Sequence, residues 1–197
     1  MMYLFHRIEQ RLDGTPAIIV VDEGWKALDD AIFVDEHPLA GAQTFTWEAI
    51  FRPDSGGAAE QRWFHLAEQD PKTGADTDNR MLFEIRVVGS QWYLDAFVHT
   101  PVGNQPIQVP EKLYPLDTWH AVAQVYDGKK YRSYVDGELQ GEFDMQFQPQ
   151  GPGHSSVGVR INKRDYFKGA VRSARFTRRA LTPAEFLKVP AKAMGKK

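Results

Sequence analysis

Two adjacent acids end an apolar run near the start of the chain, where Ala-Ile-Ile-Val-Val is followed by Asp22 and Glu23. In nucleotide hydrolases, acids placed in this way hold magnesium and position the attacking water. The same chemistry needs a phosphate-binding loop that reads G-x-x-x-x-G-K-[ST], because its backbone N–H groups and its lysine hold the phosphates. The sequence contains no such loop, and the nearest stretch, GPGHSS, lacks the lysine. We therefore expect no nucleotide hydrolysis from Asp22 and Glu23 alone.

Other reactive side chains are scarce in this sequence. The chain has no cysteine, which excludes thiol nucleophiles and disulfide bonds. It has no Gly-x-Ser-x-Gly motif, so it offers no serine nucleophile of the hydrolase type. The six histidines do not match the ligand spacing of zinc sites. These absences disfavour nucleophilic hydrolysis and zinc chemistry.

Two loops concentrate side-chain oxygens, which are the ligands that calcium prefers. One loop reads EQDPKTGADTDNR, and the other contains an Asp-Asp pair just before the strand-like AIFVD. The candidate calcium ligands are Asp29, Asp30, Asp70, Asp76, Asp78 and Asn79. A polar surface loop without a metal is the alternative interpretation, and the modest ligand density favours it.

Aromatic side chains and one arginine are candidates for binding a sugar, because sugar rings stack on exposed aromatic faces. The candidates are Trp63, Trp92, Tyr93, Tyr131, Arg160 and Tyr166. Trp92 and Tyr93 are adjacent in a predicted strand, so their side chains must point to opposite faces of a sheet. For each ring, a position in the hydrophobic core is favoured over contact with a ligand.

Composition and charge limit the classes of partner. A chain of 197 residues is long enough for a domain with a substantial core. Its net charge of −2 gives no reason to expect a nucleic acid or an anionic membrane as partner. The longest apolar run is too short to span a bilayer. Charged residues between His6 and Arg11 stand where a secretion signal needs an apolar stretch, so we expect no signal peptide.

The elements that would position these residues are predicted to be short antiparallel strands. TFTWEAIFR alternates apolar and polar residues, so Phe45, Trp47, Ala49 and Phe51 are predicted to share one face. Asp-Gly pairs at 127–128 and 136–137 predict a three-stranded meander, and Gly-Ser at 89–90 predicts a further two-residue turn. Strands separated by turns, with aromatic residues making up 12% of the chain, predict two sheets packed face to face.

Helices are predicted only near the two ends. Four apolar residues recur at helical spacing between positions 3 and 13, which predicts a short amphipathic helix followed by a strand at 17–21. Near the other end, Thr182, Pro183 and Glu185 have the residue types of an N-cap, a first helical position and a capping box. A short C-terminal helix is therefore predicted after the last strand.

Most of the chain resembles the laminin-G-like family of concanavalin A-type jelly rolls. The motifs that carry the resemblance are DTWHAVAQVYDGKKYRSYVDGEL, followed by KGAVRSARFTRRALTPAEF, and DDAIFVDEHPLAGAQTFTWEAIFRPD matches the early strands. The resemblance implies an all-β fold, an antiparallel two-sheet jelly-roll sandwich, often with calcium at its rim. It implies no single function, because the family includes sugar binders, adhesion modules, spacers and enzymes.

The first residues resemble a different family. YLFHRIEQRLDGTPAIIVVDEGWKALDD is similar to the Walker B region of conjugative type IV secretion ATPases, in which a helix leads into a strand that ends in Asp-Glu. This resemblance implies that Asp22 is the magnesium-associated acid and Glu23 the water-activating acid. Because DDAIFVDE fits both families, the chain is interpreted as a join. Residues 1–28 are interpreted as an ATPase-like appendage, 29–187 as a jelly-roll domain and 188–197 as a basic tail. The strand at 17–21 is physically able to add to a sheet edge, a hypothesis that the sequence leaves open.

The resemblance favours a non-catalytic module that binds a carbohydrate or a protein partner, with calcium as the candidate cofactor. One alternative is an inactive fragment of a secretion ATPase fused to an unrelated jelly roll. The other is a polysaccharide-active enzyme, either a glycosidase or a lyase. The family is often extracellular, whereas the lack of an export signal favours the cytoplasm. The sequence leaves the compartment and the oligomeric state open.

The glycosidase alternative depends on paired carboxylates. Concanavalin A-type glucanases carry Glu-x-Asp-x-x-Glu on one strand, which brings nucleophile and acid to one face. Here Glu84 is followed by Arg86 at the second place, and the next strand offers only Asp95. The pattern is absent, which disfavours a retaining glycosidase. A lyase is disfavoured because the Gln-x-His strand of the alginate-type lyases is missing.

Overall fold

The computed structural model describes residues 31–101 and 103–191, together with the backbone of two strands at residues 6–9 and 17–20. These residues form fourteen strands and a single-turn 3₁₀ helix at Pro183–Glu185. The strands are β1 (His6–Glu9), β2 (Ala17–Val20), β3 (Ile32–Val34), β4 (Phe45–Pro53), β5 (Glu60–Gln69), β6 (Asp76–Val88), β7 (Gln91–Thr100), β8 (Gly103–Gln108), β9 (Tyr114–Pro115), β10 (His120–Tyr126), β11 (Lys130–Val135), β12 (Glu138–Asp144), β13 (Gly153–Val157) and β14 (Gly169–Thr177). Within these stretches, no helix is long and apolar enough to cross a bilayer.

The strands form two antiparallel sheets. The first sheet has the order β1-β2-β14-β4-β10-β11-β12. The second has the order β3-β13-β5-β6-β7-β8, with β9 paired to β7. The chain thus passes back and forth between the two sheets, as in a jelly roll. The sandwich predicted from the sequence is confirmed.

Aromatic rings that alternate along the strands fill the space between the sheets. In β4, Phe45, Trp47, Ala49 and Phe51 are all fully buried, as the alternation of TFTWEAIFR predicted. The Phe51 ring stacks on that of Trp63, with centroids 4.3 Å apart and planes inclined by 7°. Aromatic pairs of this kind stabilise the fold beyond the area that they bury. The core therefore accounts for most of the aromatic content of the sequence.

A polar bridge crosses this core between the two sheets. Gln124 of β10 donates a hydrogen bond from Nε2 to the backbone carbonyl of Leu82 in β6, with the two atoms 2.7 Å apart. The hydroxyl of Tyr131 donates in turn to Oε1 of Gln124. Gln124 and Tyr131 are fully buried, and burial raises the pKa of the Tyr131 hydroxyl well above its usual value. The bridge fixes the position of β6 relative to the first sheet.

The predicted turns are confirmed by their backbone angles. Gly89 has a φ of 62° at the first central position of the turn between β6 and β7, where a type II′ turn requires glycine. Asp136 and Gly137 have φ values of 52° and 83°, which is the type I′ pattern of a tight hairpin. At the β10–β11 connection, Asp127 Oδ1 accepts the backbone N–H groups of the residues two and three positions further along the chain. The connecting loop covers residues 127–129.

A β-bulge in β5 decides which side chains of that strand face outward. Trp63 and Phe64 together oppose the single residue Phe83 of β6. Both rings enter the core, and Arg62 and His65 therefore emerge on the same outer face although they are three positions apart. In a regular strand, residues three positions apart point to opposite faces.

The N-terminal segment joins the edge of the first sheet. β2 pairs antiparallel with β14, with Ile19 opposite Ala174, so residues 17–20 form the added edge strand that the sequence left open. β1 pairs in turn with β2. The predicted helix over residues 3–13 is wrong at His6–Glu9, because these residues form β1. A helix of about three turns is marginal on its own in water, whereas a sheet edge supplies backbone partners at once.

The segment after β14 is fastened to the outer face of the first sheet. Glu48 of β4 is buried, and its two carboxylate oxygens accept from Arg175 Nε at 2.6 Å and from the backbone N–H of Leu187 at 2.7 Å. The N–H of Thr182 donates to Glu185 Oε2 at 2.9 Å, as in a capping box. The predicted C-terminal helix is confirmed as a single 3₁₀ turn.

Candidate ligand-binding site

The outer face of the second sheet presents its side chains in transverse rows, because the strand register aligns outward residues of neighbouring strands. The middle row crosses β13, β5, β6, β7 and β8 as Ser156, His65, Leu82, Phe97 and Pro106. The row on one side consists of Arg62, Glu84, Asp95 and Gln108. The row on the other side includes Arg80 and His99. Apolar side chains near the centre of this face are thus flanked by charged ones.

A shallow depression with a volume of about 180 Å³ lies on this face around Leu82 and Phe97. Four arginines line it, namely Arg62, Arg80, Arg86 and Arg160, and the rest of the lining comes from the rows just described. We call it the arginine depression. Its volume is below the roughly 300 Å³ at which ordinary ligand pockets begin, so it accommodates one group of a ligand rather than a whole oligosaccharide.

The loop between β13 and β14 brings Arg160 to the depression. The N–H of Gly158 donates to the carbonyl of Trp63 at 2.7 Å, which ties the start of the loop to β5. The N–H of Ile161 donates to Nδ1 of His65 at 3.1 Å, which ties it again. The backbone on either side of Arg160 is therefore anchored to the strand that carries Arg62 and His65.

Two carboxylates meet beside the depression. Glu84 and Asp95 are directly opposite each other on β6 and β7, and both are almost completely buried. Arg86 Nη2 lies 2.9 Å from Glu84 Oε2 and 2.7 Å from Asp95 Oδ2. Arg62 Nε donates to Glu84 at 3.1 Å, and Gln108 Nε2 donates to Asp95 at 2.6 Å. Burial, reinforced by the charge of Glu84, raises the pKa of Asp95 to about 6. The pair orients Arg62 and Arg86.

Arg80 and Arg160 have fewer partners than the other two arginines. Arg80 pairs at 3.1 Å with the highly exposed Asp78, and its guanidinium lies 5.6 Å from the centroid of the Phe97 ring. Its buried Nε has no acceptor among the described residues. The Arg160 side chain makes no hydrogen bond or ion pair with any described residue, and burial together with the charges of Arg80 and Arg62 lowers its pKa.

The comparisons with known proteins bear first on the fold. The family model Laminin_G_3, described as the concanavalin A-like lectin/glucanases superfamily, matches residues 26–186, which is most of the chain. The chain belongs to this superfamily. The two antiparallel sheets described above agree with that assignment.

Solved structures share the superfamily fold with this chain at low sequence identity. A SAP-like pentraxin from Limulus polyphemus is 15% identical with a TM-score of 0.57, over 80% of this chain and 75% of that one. The CBM40 of a Ruminococcus gnavus sialidase, bound to α2,3 sialyllactose, is 14% identical with a TM-score of 0.55, over 83% and 96%. Domain 4 of a Geobacillus stearothermophilus GH43 arabinanase, in complex with arabinotriose, is 16% identical with a TM-score of 0.60, over 92% and 83%. These likenesses show the fold alone.

An N-terminal stretch of the chain is similar to conjugative secretion proteins, as the Walker B resemblance implied. It is 61% identical over 33 residues to the type IV secretion system protein virB4 of Bartonella quintana. A probable conjugal transfer protein TrbE of Sinorhizobium fredii is 40% identical over 52 residues. These matches cover 17% and 26% of this chain, but only 4% and 7% of the two relatives.

The aromatic rings predicted to contact a sugar fall into two groups. Three of them are fully buried in the core between the two sheets, namely Trp63, Trp92 and Tyr131, so the prediction of a sugar contact is wrong for these three. Their rings fill the space between the sheets, where no ligand reaches them. Tyr93 and Tyr166 are half-buried and stay candidates. The opposite orientation predicted for Trp92 and its neighbour Tyr93 agrees with their different burial.

Arg160 is the predicted sugar-binding residue that lines the arginine depression. The grouping of Glu84, Arg86 and Asp95 escaped the sequence reasoning, which looked for catalytic acids within one strand. A signal was present in the turn at 89–90: counting outward from a two-residue turn places Glu84 opposite Asp95. The contribution of Arg80 had no sequence signal, because the packing of its guanidinium on Phe97 depends on the register between β6 and β7.

The predicted calcium ligands in the EQDPKTGADTDNR segment have other partners, and all but Asp70 lie in β6 rather than in the predicted loop. Asp70 Oδ1 accepts the N–H of Lys72 at 2.7 Å, which stabilises the turn that contains it. Asp76 Oδ1 lies 2.6 Å from Nε2 of His154. No three acidic or histidine side chains converge on a common point in the described part of the chain.

The remaining two predicted ligands of that segment, both in β6, also have other partners. Asp78 pairs with Arg80, and the amide of Asn79 donates to Glu68 Oε2 at 3.2 Å. Their contacts give calcium binding no support, and it stays a prediction. Four further predicted residues lie outside the described residues, namely Asp22, Glu23, Asp29 and Asp30.

Proposed function

We propose that this protein is a non-catalytic module that binds glycans at the arginine depression, on the outer face of the second sheet. The observation that carries the proposal is the depression itself, where arginine donors surround the apolar side chains of Phe97 and Pro106, beside the almost completely buried Leu82. A sugar offers apolar C–H faces and a rim of polar oxygens. Apolar surface with a few fixed polar groups is the usual composition of small-ligand sites.

Two fold neighbours support a glycan as the ligand class. The sialidase CBM40 was solved with sialyllactose, and the arabinanase domain was solved with arabinotriose. Both cover most of this chain, so the same sandwich serves sugar binding in at least two different proteins. At 14–16% identity the binding residues do not transfer. These two structures therefore support a glycan as the class of ligand, and they do not indicate a particular sugar.

The state of the two buried carboxylates supports a non-catalytic role. A retaining glycosidase needs one carboxylate free to attack the sugar and one carboxylic acid able to protonate the leaving group. Here Arg86 Nη2 contacts both Glu84 and Asp95, and Gln108 holds the Asp95 oxygen that faces it. Both carboxylates line the depression, but Asp95 is 1% exposed and Glu84 is 4% exposed, so each offers a ligand very little surface. We infer that the pair positions arginines.

The N-terminal similarity supports a second, narrower proposal. We propose that residues 1–28 derive from a secretion ATPase and contribute two edge strands to the first sheet, without nucleotide chemistry. The sequence lacks the phosphate-binding loop on which such chemistry depends. Thermal melting with and without magnesium-ATP tests this, because a ligand at a hundred times its dissociation constant stabilises by about 2.7 kcal/mol. We expect no shift, and a saturable shift would contradict the proposal.

A glycan array probed with the full chain tests the main proposal. The array carries neutral, carboxylate-bearing and sulfated glycans, and it is probed in calcium and again in EDTA, which also tests the calcium prediction. We expect specific binding to at least one glycan class, with a dissociation constant then measured by calorimetry. Silence across all classes in both buffers would refute a glycan-binding role.

A further inference from the structure

We infer that the glycan bound at the arginine depression carries an anionic group, a carboxylate or a sulfate, and that Arg160 and Arg80 bind it. The inference rests on the proposed function, because it names the ligand class for the same site. Its basis is a local excess of hydrogen-bond donors over acceptors. A guanidinium group offers five N–H donors and no acceptor, and its planar fork matches an oxyanion with two parallel hydrogen bonds.

Arg160 has a charge that the described protein does not neutralise. Its side chain is half-buried and has no hydrogen-bond or ion-pair partner among the described residues. The charges that act on it are mostly of the same sign, since Arg80, Arg62 and Arg164 oppose its positive charge and Glu84 favours it. The whole chain has a net charge of −2, so this positive cluster does not follow from a basic composition. A half-buried cation among cations is stabilised when an anion binds.

Arg80 is the second binding group because its guanidinium has a restricted position and an N–H donor without a partner among the described residues. Its guanidinium packs over the ring of Phe97, which restricts its orientation. Its ion pair with Asp78 is weak, because the Asp78 side chain is 85% exposed and the surrounding water screens it. Its Nε–H is buried and lacks an acceptor among the described residues. An oxyanion at this place would accept from Arg80 without displacing a strong partner.

Arg62 and Arg86 do not share this property. Arg62 contacts Glu84 and Asp165, and Arg86 contacts Glu84 and Asp95. Their charges are matched within the protein, so they shape the depression without attracting further anions. Among the four lining arginines, Arg80 and Arg160 are the two without a strong ion pair to a described residue, and the depression has a volume of only about 180 Å³. This geometry fits one acidic group on a sugar and does not fit a polyanion.

Esterified ligands and one arginine variant test the inference. Each acidic glycan that binds on the array is measured again by calorimetry as its carboxyl methyl ester, or in its desulfated form. We expect neutralisation of the ligand to weaken binding at least tenfold, with the carboxylate and sulfate arms showing which oxyanion is preferred. Arg160→Gln should weaken binding of the acidic form by a similar factor and binding of the neutralised form by a clearly smaller factor. Lys163→Gln removes a positive charge from the same loop at an exposed residue that neither lines the depression nor acts on the Arg160 charge, and it should bind like wild type.

The outcomes separate the inference from the function on which it rests. Equal affinity for acidic and neutralised ligands, or array signals confined to neutral glycans, would overturn the inference while the proposed function stands. Absence of binding to every glycan would overturn the proposed function and the inference with it. Melting temperatures show whether Arg160→Gln folds. If it does not fold, the comparison of acidic and neutralised ligands on the wild-type protein still decides whether the site binds an anionic group.

Discussion

Glu84 and Asp95 face each other on adjacent strands, and one nitrogen of Arg86 lies within 3 Å of an oxygen of each. Like charges directly opposite in a sheet are unfavourable, and Arg86 compensates them at the centre of the site. The arrangement explains why an acid pair sits beside a site that we assign to an anion. Its electrostatic role is to hold Arg62 and Arg86, so that Arg80 and Arg160 keep the free positive charge.

The stability of the protein should depend on pH through Asp95. Burial and the neighbouring Glu84 raise its pKa to about 6, whereas an aspartate in an unfolded chain titrates near about 3.9. The native state therefore binds more protons than the unfolded state between these values, and the contribution of Asp95 to the free energy of unfolding falls as pH rises through this window. We expect Asp95→Asn to be more stable than wild type by roughly 1–3 kcal/mol at pH 7.5, with the difference below about 1 kcal/mol at pH 4.5.

Urea unfolding of both proteins at the two pH values measures this difference. Asp144→Asn is the control, because Asp144 is exposed and its nearest cation, Lys130, is 3.9 Å away. A stability difference for Asp95→Asn that stays the same at both pH values would show that Asp95 is ionised throughout, contrary to its raised pKa.

The polar bridge through the core should contribute measurably to stability. Tyr131→Phe leaves Oε1 of Gln124 buried without its hydroxyl donor, and an unsatisfied buried acceptor costs about 1–3 kcal/mol. Chemical denaturation measures the loss, with the half-buried Tyr93→Phe as the matched control. If Tyr131→Phe were as stable as wild type, the bridge would contribute nothing.

The C-terminal segment should depend on a single carboxylate for its attachment. Glu48→Gln weakens the ion pair with Arg175 and the hydrogen bond from Leu187, so we expect a loss of about 1–3 kcal/mol. Hydrogen exchange at the Leu187 amide should become faster by a corresponding factor. Glu138→Gln, an exposed position in β12, should change neither quantity. Unaltered exchange at Leu187 in Glu48→Gln would mean that another contact holds the segment.

The N-terminal strands should protect the edge of the first sheet. Deletion of residues 1–28 removes β1 and β2 and leaves the backbone of β14 unpaired along one side, which is a template for pairing with another chain. We expect the shortened protein to associate at lower concentration than the full chain in analytical ultracentrifugation. Hydrogen exchange of the full chain provides the complementary test. Amides at residues 17–20 that exchange as fast as an unfolded peptide, beside a protected β14, would contradict the edge-strand assignment.

Local patterns predicted the fold because most of its signals are local. The inward face of β4 follows from period-two alternation, and the hairpins at 89–90 and 136–137 follow from turns that need a positive φ. Two strands escaped prediction in the proline-rich stretch after β7. One of them, β8, contains Pro106 and is tolerated because it lies at the edge of its sheet.

The candidate site was harder to predict because it depends on register. The bulge at Trp63 and Phe64 reverses the alternation in the middle of β5, so no periodicity places Arg62 and His65 on one face. Arg160 reaches the site from a loop that is distant in sequence. The three sugar-binding candidates that lie in the core show the converse limit, since alternation separates two faces of a strand without showing which face is covered.

The most direct test of glycan binding at the arginine depression is to map the bound glycan onto the structure by amide chemical-shift changes in the ¹⁵N-labelled full chain. We expect saturating amounts of an acidic glycan from the array to shift the amides around Leu82, Phe97 and Arg160, and Arg160→Gln to suppress these shifts. Changes confined to the first sheet, or to the rim around residues 126–148, would contradict the assignment of the site.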